Sequence, residues 1–153
     1  MYMDLEEQYD KIYRFCYFKV HHREIAEDIT QETFLRFFES REYREKGKNL
    51  HYLYTIARNL CIDEYRRRKT EPLEGEILDM EAEEKMITGI TVKLALSTLT
   101  ENERELLLLR YVNEVGISEI GKIYGISRFA VYRRLARAEN NLKNKLERGN
   151  LYG

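Results

Sequence analysis

The segment ISEIGKIYGIS, residues 117–127, constrains the fold of this chain more than any other part of the sequence. Ile120 and Ile123 have the spacing of one buried helix face. Gly121 stands where a close helix crossing would demand a very small residue, and Gly125 is suited to the tight turn that ends a helix. A short helix followed by such a turn and a second helix is a helix-turn-helix, whose second helix enters the major groove of DNA.

A second helix is predicted directly after this turn. Ser127 is suited to cap it, and Ile126 and Val131 have the spacing of a hydrophobic staple around the cap. The outer face of this helix would carry Arg128, Phe129, Tyr132, Arg133 and Arg137. Arginine can bind guanine or phosphate through paired hydrogen bonds. The pattern therefore favours a DNA-reading helix over a plain helical hairpin with a basic outer face.

Composition favours helices along the rest of the chain. Its 153 residues include 8 Gly and 1 Pro, and helix formers such as Leu, Glu and Lys are abundant. No apolar run is long enough to span a bilayer, and the N-terminus has no signal-peptide core. Cys16 and Cys61 lie far apart without a CxxC pair, which indicates a reducing compartment. We therefore expect an all-α protein in the cytoplasm.

The net charge of -1 conceals an alternation of acidic and basic blocks. Residues 47–70 and 106–153 are net basic, whereas residues 1–46 and 71–105 are net acidic. Basic blocks on helices can follow phosphates, although ordinary solvated helix surface would give the same counts.

The chain is expected to hold two small helical domains joined by a short acidic linker. The linker segment holds the only proline and many acids, which is typical of a connection. The three parts are residues 1–70, the linker 71–84 and the helix-turn-helix domain 85–149. Helices are predicted at 5–20, 24–39 and 50–68, and then at 84–98, 101–113, 118–124 and 128–147. Thr100 and Glu103 have the spacing of a capping box at the start of the helix 101–113.

The helix 24–39 is predicted to be amphipathic. Its buried face would consist of Ile25, Ala26, Ile29, Thr33 and Phe37. Its opposite face would carry Asp28, Gln31, Glu32, Leu35 and Glu39. An exposed leucine among acids hints at a protein-binding face, although a solitary surface leucine is common.

The helix 50–68 is predicted to bury Leu50, Leu53, Ile56, Ala57, Leu60 and Cys61. Its outer face would carry His51, Tyr52, Thr55, Arg58, Asn59, Ile62, Asp63, Arg66 and Lys69. Aromatic and basic side chains in one row suit a single DNA strand, because rings stack on bases and cations hold phosphates. A solvated helix whose basic end is favoured by the helix dipole is the alternative.

Three segments resemble parts of the sigma-70 family of RNA polymerase sigma factors. AEDITQETFLRFF (26–38) resembles the helix that binds core polymerase, and LHYLYTIARNLCIDEYRRRK (50–69) resembles the helix that melts promoters and reads the -10 element. LSTLTENERELLLLRYVNEVGISEIGKIYGISRFAVYRRLARAENNLKNKL (96–146) resembles the domain that reads the -35 element. In this order and with a short linker, they are similar to the extracytoplasmic-function (ECF) group, the smallest sigma factors.

The resemblance implies three sets of binding residues. The contact with the beta-prime coiled coil of polymerase would involve Asp28, Gln31, Glu32 and Leu35. The -10 DNA would meet the loop 41–49 and the third helix through Tyr43, Lys48, His51, Tyr52, Thr55, Arg58, Asn59, Asp63 and Arg66. The -35 DNA would meet Ser127, Arg128, Phe129, Tyr132, Arg133 and Arg137.

The resemblance also implies the partners. The C-terminal half would contact the polymerase beta flap, and an anti-sigma factor would hold the protein inactive, in some cases at the membrane. No enzyme activity, cofactor, metal or small-molecule substrate is implied.

Two other classes of function are compatible with parts of the sequence. One is a stand-alone helix-turn-helix regulator with an N-terminal dimerisation or sensing module. The other is an enzyme or metal protein that uses His21, His22 and His51 with the two cysteines. The cysteines fall on predicted core faces, and adjacent His21 and His22 lack the i, i+4 spacing of helical metal ligands.

Overall fold

A computed structural model describes the backbone of residues 4–40, 49–69 and 94–152, and the side chains of these ranges up to residue 147. Every regular element in these ranges is a helix, so the predicted all-α class is confirmed. Contacts divide the chain into two compact units, Met1–Asp79 and Met80–Gly153. The linker 71–84 and residues 84–93 of a predicted helix lie outside the described residues.

The N-terminal unit contains three helices that each pack against the other two. They are α1 (Leu5–Val20), α2 (Arg23–Glu39) and α3 (Leu50–Arg68). All three lie where the periodicity predicts them. The carboxylate of Asp4 caps α1 by accepting a hydrogen bond from the Glu7 backbone N–H at 3.2 Å, which satisfies one of the unpaired donors at the helix start.

A two-residue turn joins α1 to α2. His21 adopts the left-handed conformation, with φ of 53°, and its N–H donates to the Tyr17 carbonyl at 2.8 Å. His22 then caps α2, because its Nδ1 accepts a hydrogen bond from the Ile25 N–H at 3.2 Å. Both histidines therefore shape this turn.

The core of the N-terminal unit includes two threonines. The Thr30 hydroxyl donates to the Ala26 carbonyl at 2.6 Å, and the Thr33 hydroxyl donates to the Ile29 carbonyl at 2.7 Å. These bonds to the preceding helical turn allow a hydroxyl to be buried without an unpaired polar atom. The prediction that Thr33 is buried is confirmed, and Thr30 joins it.

The same core contains buried aromatic rings, and the residues of α3 that it covers differ in part from the predicted ones. Tyr54 is fully buried and meets Phe15 edge to face, with ring centroids 5.6 Å apart. The expectation that Leu50, Leu60 and Ile25 are buried is wrong, because all three are half-buried.

The C-terminal unit begins, in its described part, with a short helical segment at 94–97. It continues with α4 (Glu101–Leu107), a π-helical turn (Leu108–Val112), α5 (Ile117–Tyr124) and α6 (Arg128–Tyr152). The predicted helix 101–113 thus widens in its last turn, where the Asn113 N–H donates to the Leu108 carbonyl at 2.9 Å. Helix α6 runs beyond its predicted end at residue 147.

A capping box starts α4, as the sequence predicts. The Thr100 hydroxyl accepts from the Glu103 N–H at 3.2 Å, and the Glu103 carboxylate accepts from the Thr100 N–H at 3.0 Å. The Arg104 guanidinium donates to the Leu99 carbonyl at 2.8 Å, so it binds the end of the segment before α4. These bonds fix the start of the helix on which the helix-turn-helix packs.

The turn between α5 and α6 depends on two glycines. Gly125 has a φ of 69°, a left-handed conformation that glycine adopts at little cost. The Ile126 N–H donates to the Gly121 carbonyl at 2.9 Å. A Cβ at Gly121 would lie 2.8 Å from the Ile126 carbonyl oxygen. The predicted need for a very small residue at Gly121 is confirmed. A larger residue is excluded because its side chain would collide with the backbone of the turn.

Candidate nucleic-acid and polymerase interfaces

Helix α6 has one buried face and one exposed face. Val131, Leu135 and Ala138 are buried against the rest of the C-terminal unit. Ser127 caps the helix, since its hydroxyl accepts from the Ala130 N–H at 3.2 Å. The structure leaves the predicted -35 residues exposed: Ser127, Arg128, Phe129, Tyr132, Arg133 and Arg137. DNA could therefore contact this face without any rearrangement of the C-terminal unit.

Two contacts with α4 and the π-helical turn orient α6. The Asn141 amide donates to the Glu103 carboxylate at 2.6 Å, and the Tyr111 hydroxyl donates to the Glu139 carboxylate. The hydrogen bond to Glu139 raises the pKa of Tyr111, so this hydroxyl keeps its proton. The contacts join α6 to the start of α4 and to the π-helical turn that follows α4, and thus set the direction of its exposed face.

Arg137 has a neighbour within the protein. The pKa of Glu103 is lowered mainly by the hydrogen bond from the Thr100 backbone N–H, with smaller contributions in the same direction from Asn141 and the charge of Arg137. Arg137 therefore faces the start of α4 as well as solvent.

The outer face of α3 is less open than its sequence pattern indicates. His51, Tyr52, Thr55 and Arg58 are half-buried, whereas Asn59, Asp63 and Arg66 are exposed. The Tyr52 ring lies 6.3 Å from the Phe37 ring of α2, measured between centroids. The Thr55 hydroxyl donates to the His51 carbonyl at 2.8 Å. In this row of outer-face side chains, the second half, from Asn59 onward, is thus the exposed part. The first half borders the core.

The basic end of α3 consists of residues with different roles. Arg68 donates a hydrogen bond to the Val20 carbonyl at 3.0 Å. Arg67 pairs with Glu64 at 2.6 Å, and Lys69 lies over the Tyr65 ring at 5.3 Å from its centroid. Arg66 is exposed. Arg67 and Lys69 are exposed as well, so Arg68 is the one member of this run that is half-buried.

The acidic face of α2 is open to solvent. Asp28, Gln31 and Glu32 are exposed, and Leu35 is 57% exposed. Glu32 forms an ion pair with Arg36, one turn further on, at 2.8 Å. An exposed leucine bordered by carboxylates fits a protein partner with a basic, partly apolar surface.

Three exposed side chains near these faces did not appear among the sequence-predicted sites. Phe38 is 40% exposed and follows Leu35 by three residues, so the two share one side of α2. Tyr65 on α3 and Arg134 on α6 are also exposed. Phe38 could have been found from its i, i+3 spacing to Leu35, whereas the sequence offered no signal for Tyr65.

Some predicted features fall outside what the structure describes or concern other kinds of site. Tyr43 and Lys48 lie in the segment 41–48, outside the described residues. Both cysteines are buried, as their predicted core faces require. Across residues 4–40, 49–69 and 94–147, no three His, Cys, Asp or Glu side chains form a group that could hold a metal ion. None of the described helices is both long and apolar enough to cross a membrane.

The fold and these faces define a helix-turn-helix protein with a second helical unit, and comparisons identify its family. Residues 5–71 match Sigma-70 region 2, and residues 95–144 match Sigma-70, region 4. The chain is 31% identical to the ECF sigma factor SigM of Bacillus subtilis, over 96% of this chain and 98% of SigM. It is 30% identical to SigW of the same species, over 90% of this chain and 83% of SigW.

The chain therefore belongs to the ECF group of the sigma-70 family. It is an alternative sigma factor, a protein that directs transcription initiation. Its fold is similar to that of the sigma factor RpoE from Bartonella quintana, solved in complex with the anti-sigma factor NepR. That match has a TM-score of 0.65 at 21% identity and covers 91% of each chain. The N-terminal half matches region 2, which argues against a separate dimerisation or sensing module there.

Proposed function

We propose that this sigma factor holds a promoter at two places and core polymerase at two others. Helix α6 would enter the major groove at the -35 element, and α3 with the loop before it would hold the melted -10 strand. The acidic face of α2 would bind the beta-prime coiled coil, and the C-terminal unit would bind the beta flap. Residues 1–70 and 85–149 would act as the two domains, with 71–84 between them.

One observation carries the -35 part of this proposal. The five predicted residues of α6 and the capping Ser127 are all exposed, while the opposite face of the same helix is packed into the helix-turn-helix core. In this motif the first turns of the second helix contact base edges. Arg128 and Arg133 are suited to guanine or to phosphate, and a bidentate contact with a base contributes about 1–3 kcal/mol of discrimination.

The -10 part rests on the exposed second half of the α3 row. Asn59, Asp63 and Arg66 lie on successive turns of one face. Tyr43 and Lys48 are assigned to the same DNA from the family resemblance, and so are His51, Tyr52, Thr55 and Arg58. A flipped base costs a few kcal/mol of unstacking, which stacking and hydrogen bonds in a pocket can offset.

We further propose that the protein acts without catalysis. It would work in the cytoplasm, where polymerase and promoters are found, and an anti-sigma factor would be a further partner. Without polymerase it would bind DNA weakly, because its net charge is -1 and its acidic blocks oppose phosphates.

Run-off transcription tests the -35 assignment. Holoenzyme reconstituted from core polymerase and this protein is given a fragment library from the source genome, and the transcripts identify promoters. Arg128→Ala combined with Arg133→Ala should lower initiation about tenfold or more, which follows from losing at least 1.4 kcal/mol of base contact. Lys143→Ala combined with Lys145→Ala removes the same charge from the later turns of α6 and should change initiation much less. Equal losses from the two double variants would contradict the assignment.

A further inference from the structure

An apolar strip runs along the exposed face of α6. Phe129 and Tyr132 are three residues apart, and Ala136 follows four residues later, so all three lie on one side of the helix. Phe129 is 77% exposed and Tyr132 is 59% exposed. Phe129 is the most exposed of the large hydrophobic side chains in the described part of the chain.

Neither Phe129 nor Tyr132 of this strip is among the buried core residues of the protein. Val131, Leu135 and Ala138 already form the buried face of α6. An apolar ring held in water is unfavourable, and burial of its surface by a partner would be favourable. The cap at Ser127 fixes where the helix begins, so Phe129 lies in its first turn.

Arginines border this strip. By helical geometry Arg128 lies along one edge and Arg133 along the other. Both are exposed, and neither has a carboxylate partner among the residues that the structure describes. An apolar strip between two cationic edges fits a surface that is polyanionic at its margins and apolar at its centre. The major groove of DNA is such a surface wherever a thymine methyl group projects into it.

We propose that Phe129, with Tyr132 beside it, reads thymine in the -35 element through the C5-methyl group; this rests on the proposed placement of α6 in the major groove. A phenyl ring neither donates nor accepts a strong hydrogen bond, so it cannot read the polar edges of bases. The methyl of thymine is the one apolar feature that distinguishes a base pair in this groove. Phe129 therefore specifies a T·A pair, while the arginines beside it hold guanine or phosphate.

Removal of a single methyl group from the DNA tests this inference. Holoenzyme is first used to select active promoters from a library randomised over the -35 region. Each thymine of the selected element, on either strand, is then replaced by deoxyuridine, which lacks only the methyl. Initiation is measured with the wild-type protein, with Phe129→Ala and with Phe129→Leu.

The wild type should lose about fourfold in initiation at one or two thymine positions, the loss expected for one buried methyl. Phe129→Ala should lower initiation on the thymine promoter and be insensitive to deoxyuridine at those positions. Phe129→Leu keeps an apolar side chain and should keep part of the sensitivity. Arg133→Ala, the matched control, should weaken initiation and retain the full deoxyuridine effect.

Three results would overturn the inference while leaving α6 as the -35 reader. They are a selected element without thymine, a wild type indifferent to every deoxyuridine, and a Phe129→Ala variant as sensitive as the wild type. If Phe129→Ala instead lowers polymerase binding and the deoxyuridine effect is absent, the strip is a protein contact. A selection that enriches no upstream element contradicts the placement of α6 itself, and this inference with it.

Discussion

The guanidinium of Arg68, at the end of α3, donates a hydrogen bond to the backbone carbonyl of Val20, the last residue of α1, at 3.0 Å. The last carbonyls of a helix have no partner within it. Arg68 therefore completes the end of α1 from 48 residues away in sequence. One arginine of the basic run at 66–69 thus belongs to the fold rather than to a DNA-binding row.

Replacement of this arginine should destabilise the N-terminal unit. Arg68→Ala is expected to lower its free energy of unfolding by roughly 1.5–3 kcal/mol, the range for a hydrogen bond to a charged group. Hydrogen exchange at the amides of α1 and α3 measures the loss. Arg67→Ala is the matched control, because its ion pair with Glu64 is exposed and contributes about 0.5 kcal/mol or less. Equal effects of the two substitutions would contradict the role of Arg68.

A methyl group at Gly121 should damage the helix-turn-helix. The new Cβ would lie 2.8 Å from the Ile126 carbonyl oxygen, which is backbone and must shift. Gly121→Ala is expected to cost roughly 1–3 kcal/mol, the usual range for overpacking. The midpoint temperature of thermal unfolding and the rate of -35-dependent transcription should both fall.

Gly116→Ser is the control for this substitution. A Cβ at Gly116 meets nothing within 4 Å, and the residue caps α5, where serine is favoured. Gly116→Ser should therefore keep or raise the stability of the protein. A Gly121→Ala variant as stable as the wild type would show that the turn can relax.

The local signals of the sequence explain why so much of the fold was predictable. Three of the caps and turns were visible as residue types: Thr100 with Glu103, Ser127, and Gly125. The caps at Asp4 and His22 were not predicted. The buried hydroxyl of Thr30 and the buried ring of Tyr54 were not visible. The Thr30 hydroxyl is paired by the Ala26 carbonyl one turn earlier in its own helix, and the Tyr54 ring packs on Phe15 of another helix. The spacing of apolar residues shows neither contact.

Acid should loosen the start of α4. The hydrogen bond from the Thr100 N–H holds the pKa of Glu103 below its ordinary value of 4.5. A carboxylate whose pKa is lower in the folded than in the unfolded protein stabilises the folded state. This stabilisation is complete at pH values above the pKa in the unfolded protein, and it is lost as the pH falls through the pKa in the folded protein. The stability of α4 should therefore fall as pH drops below about 4.5.

Glu103→Gln tests this pH dependence. Glutamine can keep the capping box without titrating, so the variant should show a smaller loss of α4 amide protection in acid. Glu147→Gln makes the same chemical change at an exposed site of α6 and should keep the acid loss of the wild type. An unchanged acid profile in Glu103→Gln would contradict the role of this carboxylate.

Charge reversal on α2 should detach the protein from polymerase. Asp28→Arg places a cation on the acidic face beside Leu35, which would repel a basic partner surface. Pull-down of core polymerase should fall at least about tenfold. Asp10→Arg makes the same change on the exposed side of α1 and should leave pull-down intact. Normal pull-down by Asp28→Arg would show that polymerase binds elsewhere.

The sites were predictable to different degrees, for physical reasons. On α6 the exposed face follows from one short turn and one cap, so local sequence determines which side chains are exposed. On α3 the row is partly covered, because Tyr52 lies against Phe37 of another helix. In the basic run, Arg67 pairs with Glu64, Arg68 binds the Val20 carbonyl and Lys69 lies over Tyr65, whereas Arg66 is exposed. No helical wheel distinguishes them.

The most direct test of the account is a gel shift on a selected promoter with this protein alone, core polymerase alone, and both together, under heparin challenge. The account predicts a stable, sequence-specific complex only when both are present, and its loss with Arg128→Ala plus Arg133→Ala. Equally tight and specific binding by the protein alone, above all at a palindrome, would contradict a role as the specificity subunit of polymerase.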